Sequence, residues 1–104
     1  HIQEQLRTAK TSKNLLSSNN WKELEKAINE TYEGFTENLH KLCVLNEHEY
    51  RICLLIKINT SPTDIAKLTT RSKEAITSTR RRLYEKVFCK EGHPKDWDEF
   101  IFSL

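Results

Sequence analysis

Apolar residues along this chain recur mostly at spacings of three and four, the period of an amphipathic helix, and no segment alternates as a strand would. Ile2, Leu6, Ala9, Lys13 and Leu16 form a seam of about two heptads, too short for a coiled coil to be assigned. SSNN at 17–20 breaks it. Asn20 then reads as an N-cap, with Glu23 three residues on to complete a capping box. The stripe that follows runs through Trp21, Leu24, Ile28, Tyr32, Phe35, Leu39 and Leu42, with Gly34 as its interruption.

A third helix is expected from near Asn46, again with Glu49 in the capping position. Tyr50, Cys53, Leu54 and Lys57 share one side of it. Ile52, Leu55, Ile56 and Ile58 widen the apolar surface to most of the circumference, as in a buried helix. In SPTDIAKL, Ser61 caps and Pro62 takes the first helical position, where its missing N–H costs nothing. That helix should end near Leu68. TTR is a turn, and Ser72 caps a further helix over 72–88. A last short helix starts at Pro94 and carries Trp97, Phe100, Ile101 and Leu104 as its apolar face. The expected fold is therefore an all-α helical bundle. Residues 1–19 read as an N-terminal helix or linker from an upstream region, 20–44 as an accessory helical segment, and 45–104 as the main domain.

Composition narrows the picture. With 104 residues the chain can bury one modest core. Two glycines and two prolines fit few turns and long helices. No window approaches the roughly 18 apolar residues of a membrane span, so no membrane contact is expected. No signal-peptide pattern is present. Three cysteines at irregular spacing argue against a disulfide framework and for a cytoplasmic setting. The chain has no methionine, even at its start, which leads to the expectation that it is a fragment of a larger protein.

The net charge of +2 is unevenly spread. Residues 71–90 hold seven bases against two acids, a net +5, which leaves −3 on the rest. A basic stripe on a mildly acidic domain is the electrostatic footprint of a nucleic-acid binder, although chance clustering on a solvated helix would look the same.

A helix, a short turn and a second, basic helix form a helix-turn-helix arrangement, in which the second helix enters the major groove. At about 100° per residue, Ile76, Thr79, Leu83 and Val87 fall on the core side of 72–88, with Ala75 at the margin. Glu74, Thr77, Ser78, Arg81 and Glu85 face outwards. Arg81 is thereby placed to bond a guanine in bidentate fashion, and Arg80 and Arg82 to grip the phosphate ridges on either side. Thr77 and Ser78 are small enough to let the helix in and can bond bases, and Glu74 can accept from a cytosine amine. Thr60, Ser61 and the amides that follow could hold a phosphate. Lys73 and Lys86 complete the expected phosphate contacts.

The stretch LNEHEYRICLLIKINTSPTDIAKLTTRSKEAITSTRRRLYEKV resembles the LuxR-type helix-turn-helix, the output domain of quorum-sensing regulators and many response regulators. Leu45, Glu49, Ser61, Ile65, Ala66, Ser72, Ile76 (for Val) and Lys86 match the family pattern. Asp64 replaces its Glu, and Asn59 its Gly, a change that suits the left-handed conformation. The resemblance implies sequence-specific double-stranded DNA binding in a bacterial transcription regulator, with base contacts at Thr77, Ser78 and Arg81. It also implies an upstream sensor region in the same protein. Thr69 and Arg71 stand where the family has apolar residues, and Thr79 and Thr77 where it has His and often Lys, so operator preference does not transfer.

The competing expectation is a helix-turn-helix used only for protein–protein contact or dimerisation. Trp97, Phe100 and Ile101 occupy the place of a LuxR-type dimerisation helix, and homodimerisation there or through the N-terminal helices stays open. Cys43, Cys53, Cys89 and His93 lack the tight paired spacings of a structural zinc site, so no metal or other cofactor is expected. No phosphate loop, nucleophile elbow or Ser/His/Asp set points to an enzyme.

Overall fold

A computed structural model describes residues 17–104. The N-terminal seam at Ile2–Leu16 lies outside the described residues. Six helices follow in order among those described, with no strand: α1 (Ser18–Thr31), α2 (Phe35–Leu42), α3 (Glu47–Lys57), α4 (Pro62–Thr69), α5 (Lys73–Phe88) and α6 (Pro94–Ser103). The chain is an all-α bundle. None of these helices is long and apolar enough to cross a membrane.

Local signals account for most of the boundaries. Asn46 Oδ1 accepts from the Glu49 amide at 2.8 Å while the Glu49 carboxylate accepts from the Asn46 amide at 3.0 Å, a complete capping box. Ser61 accepts from the Asp64 amide and Ser72 from the Ala75 amide, at 3.2 and 3.1 Å. Gly34 takes φ +78° between α1 and α2, and Asn59 takes φ +63° just after α3. One cap differs from expectation. Helix α1 starts a turn earlier, because Ser17 and Asn20 cap each other reciprocally, so Asn20 is inside the helix instead of at its edge. Two ends lack the residue that favours a left-handed cap: Thr70 (φ +56°) and Cys89 (φ +57°) adopt that conformation without being glycine.

The core is centred on α3, where every residue from Ile52 to Ile58 is buried. It is covered by α1, α4 and α6, while α5 packs between α4 and α6. Trp21, Leu24 and Ile28 of α1, with Phe35 and Leu39 of α2, close one side of the core. Ile65, Leu68, Ile76, Leu83, Trp97 and Ile101 fill the other. The α1–α2 pair is pinned by the Asn29 side chain, which accepts from both the amide and the hydroxyl of Thr36. Tyr50 of α3 donates to Glu25 of α1 and stacks on His40 of α2 with ring centroids 4.8 Å apart.

Lys57 is the unusual core member. Its ammonium donates to the carbonyls of Ile101 and Phe102 at 3.3 and 3.0 Å, at the negative end of α6. It also lies 4.7 Å from the Tyr32 ring centre and 5.1 Å from that of Phe35. Burial lowers its affinity for the proton, and the carbonyls and ring faces compensate.

Cys53 supplies a pH test of this core. Burial pushes its thiol up to about 12 from the ordinary 9.0, with the Trp97 indole opposing the rise without forming a hydrogen bond of good geometry. An unfolded thiol ionises first, so the stabilisation is complete below about pH 9 and is lost as pH climbs towards the folded value. Urea unfolding should show stability falling as pH rises above about 9, and Cys53→Val should remove the part of the slope that begins there, leaving the part above about pH 10 that belongs to Tyr50, whose phenol is also raised by burial and by Glu25.

Candidate nucleic-acid interface

Helix α4, the turn 70–72 and helix α5 present a helix, a short reversal and a second helix. The reversal is held by the Thr70 and Arg71 amides, which bond back to carbonyls of α4; Arg71 reaches Ala66 at 3.0 Å. On α5, Ile76, Thr79 and Leu83 are buried and Val87 packs against the core. Lys73, Glu74, Ser78, Arg81, Arg82, Glu85 and Lys86 are exposed, and Thr77 is half-buried beside them. The outward face of α5 is therefore the one expected from its period. Glu74, Thr77, Ser78 and Arg81 lie along a single strip of it.

The three arginines take three different positions. Arg81 stands out from the strip at the mouth of a cleft that Glu85, Glu91 and Asp96 also line. Carboxylates beside its guanidinium moderate the positive potential at that end of α5. Arg82 lies along the flank facing α3, its side chain 63% exposed and 4.0 Å from the Glu49 carboxylate. Lys86, one turn on, donates to the Val44 carbonyl at 2.6 Å, so its ammonium sits over the α2–α3 linker while staying exposed.

Arg80 corrects the expectation of a phosphate contact. It is 7% exposed, and its guanidinium pairs with both oxygens of Asp98 on α6, the Nε bond being 2.9 Å long. The physical reason is angular. Counted from Ile76, Arg80 lies only about 40° from the middle of the core side, whereas Arg81 lies about 140° away. Its charge tolerates that position because a fork-shaped donor meets a carboxylate in bidentate geometry.

Thr60 is a second correction. Its hydroxyl is buried and makes no hydrogen bond, so it is turned away from any surface ligand. Ser61 remains exposed, but its hydroxyl is used as the cap of α4. Cys89 closes the end of α5 and His93 stands at the start of α6. Among the described residues no group of three or more His, Cys, Asp or Glu side chains is placed to hold a metal ion.

Sequence reasoning passed over a basic wall beside the α4–α5 turn. Here His48 and Arg51 of α3 meet Arg71 of the turn across a shallow cleft of about 300 Å³, with Trp21 of α1 at its base. The Arg51 guanidinium lies 4.9 Å from the centre of the Trp21 ring and also pairs with Glu47. His48 loses proton affinity through burial first and the nearby Arg71 second, with Glu49 opposing and Arg82 adding. The available sequence signal was an i,i+3 His/Arg pair on α3 with a lone arginine in the turn, which carries meaning only once the turn is folded against α3. No family model, curated protein or solved structure matches the chain.

Proposed function

We propose that this chain is the DNA-binding part of a bacterial transcription regulator of the LuxR type, acting in the cytoplasm, with α5 lying in the major groove of duplex DNA. The observation that carries the reading is the outward strip of α5. It combines two small hydroxyl residues near the start of a well-capped helix, Thr77 and Ser78, with an exposed arginine one turn further on. Small side chains allow close approach, and the guanidinium supplies the donors that a guanine edge accepts. Lys73, Arg82 and Lys86 flank the strip and serve the phosphate ridges. Arg80 does not join them.

Binding to a short mixed-sequence duplex, followed by fluorescence anisotropy at increasing potassium chloride, tests the reading. Three phosphate contacts correspond to a slope of log affinity on log salt near −3. Affinity too weak to measure at low salt would remove the proposal.

A protein-docking role is the second reading. It draws on Phe88, Phe102 and Val44, which are 37%, 45% and 84% exposed, and on the carboxylates around Arg81. A salt-insensitive self-association without DNA affinity is the outcome that would favour it.

A further inference from the structure

We propose that the cleft between α1, the first turns of α3 and the α4–α5 turn, walled by His48, Arg51 and Arg71, receives the phosphate backbone of duplex DNA beside the groove entered by α5. The inference rests on the DNA-binding reading and names a contact surface that α5 does not provide.

Charge is the first argument. Two guanidiniums and an imidazole share the cleft with one carboxylate, Glu47. Glu47 is engaged by Arg51, and its side chain is 74% exposed. Arg71 makes no ion pair among the described residues. Arg71 is thus the cation of the cleft without a matching acid among the described residues, and an arriving anion supplies one.

Position is the second. Arg71 directly precedes Ser72, the cap of α5. With Glu74, Thr77 and Ser78 against base edges, the ridge bordering the groove has to pass the residues just before the helix. Arg51 lines the same cleft, so a ridge that enters it comes within reach of both guanidiniums.

Preorganisation is the third. Trp21 is 7% exposed, and its ring supports the Arg51 guanidinium, which removes part of the rotamer freedom that a phosphate would otherwise have to freeze. Helix α1 thereby becomes a positioning element of the interface although none of its own cations is required.

His48 gives the proposal a distinctive readout. It is faced by Glu49 on its own helix, by Arg71 from the turn and by Arg82 from α5, with Glu47 and Arg51 in the same cleft. Burial and the arginines favour the neutral ring in the free protein, and a phosphate favours the cation. Binding should therefore take up a proton, and affinity should rise as pH falls through the histidine range, levelling once the free protein is protonated too.

The test uses the whole protein and the same mixed-sequence duplex. With the cleft engaged, the salt slope of the wild type should be steeper than −3 by about two, one for each arginine. Arg71→Ala, at an exposed site, should flatten the slope by about one and weaken binding severalfold on all sequences alike, with an unchanged melting temperature. His48→Gln should abolish the rise in affinity on acidification. Wild-type binding to the duplex with Arg71→Ala indistinguishable from it in affinity and slope would overturn the cleft while leaving the α5 reading intact. No wild-type binding at all would overturn both. Orthophosphate at matched ionic strength serves as the control for a free-anion site. If the duplex moves the His48 ring resonances only at phosphate concentrations at which orthophosphate moves them equally, or not at all, the backbone assignment fails.

Discussion

Arg80→Ala is expected to lower the unfolding free energy by about 3 kcal/mol, and with it the melting temperature by roughly 10–20 °C. The loss comes less from the missing guanidinium than from what it leaves. Asp98 is only 20% exposed on its side chain and would keep a carboxylate facing a void between α5 and α6. The partial exposure of Asp98 puts the effect at the low end of the range for broken buried pairs. A double change, Arg80→Met with Asp98→Leu, should recover most of the stability, because it removes both charges together and refills the volume. Thermal melts of the three variants decide the matter. A melting temperature for Arg80→Ala within a degree or two of wild type would mean that the pair contributes nothing. Below the melting transition, the salt slope for duplex DNA should not change in this variant, which separates a brace from a phosphate contact.

Arg81→Ala should behave in the opposite way. Its side chain is exposed and has no structural bond among the described residues, so melting should be unaffected. Affinity for the preferred duplex, once selected from a random pool, should fall by about 1–3 kcal/mol, roughly five- to 150-fold. Binding to unrelated duplexes should fall much less, and the selected site should become degenerate at the position that Arg81 reads. Equal losses on preferred and unrelated DNA would reassign Arg81 to the backbone. The neighbouring pair Arg80 and Arg81 therefore makes an internal control: adjacent residues of the same type, one moving stability and the other recognition.

The contrast also shows which features could be read from the sequence. Helix boundaries set by caps were legible at Asn46, Ser61 and Ser72 because donor and acceptor stand three residues apart. So was the inward face of α5, since Ile76, Leu83 and Val87 repeat on one side. The start of α1 was not, because the stretch from Ser17 to Glu23 offers two overlapping boxes and only packing selects between them. Arg80 was misplaced by trusting its charge over its angle; its partner lies 18 residues away on another helix. Lys57 posed the same difficulty, with its acceptors 44 and 45 residues on. The basic cleft is assembled from α1, α3 and the turn, and no single segment announces it.

Lys57 and Arg80 also act in series. The ammonium of Lys57 ties the end of α6 to α3, with the rings of Tyr32 and Phe35 against it, and the Arg80–Asp98 bridge ties the middle of α6 to α5. Both fastenings are ionic groups shielded from water, so each resists sliding in a way that apolar contact, which has no preferred direction, does not. Helix α6 is therefore the strut between α3 and α5, fixed to each by a directional charged link instead of by apolar contact alone.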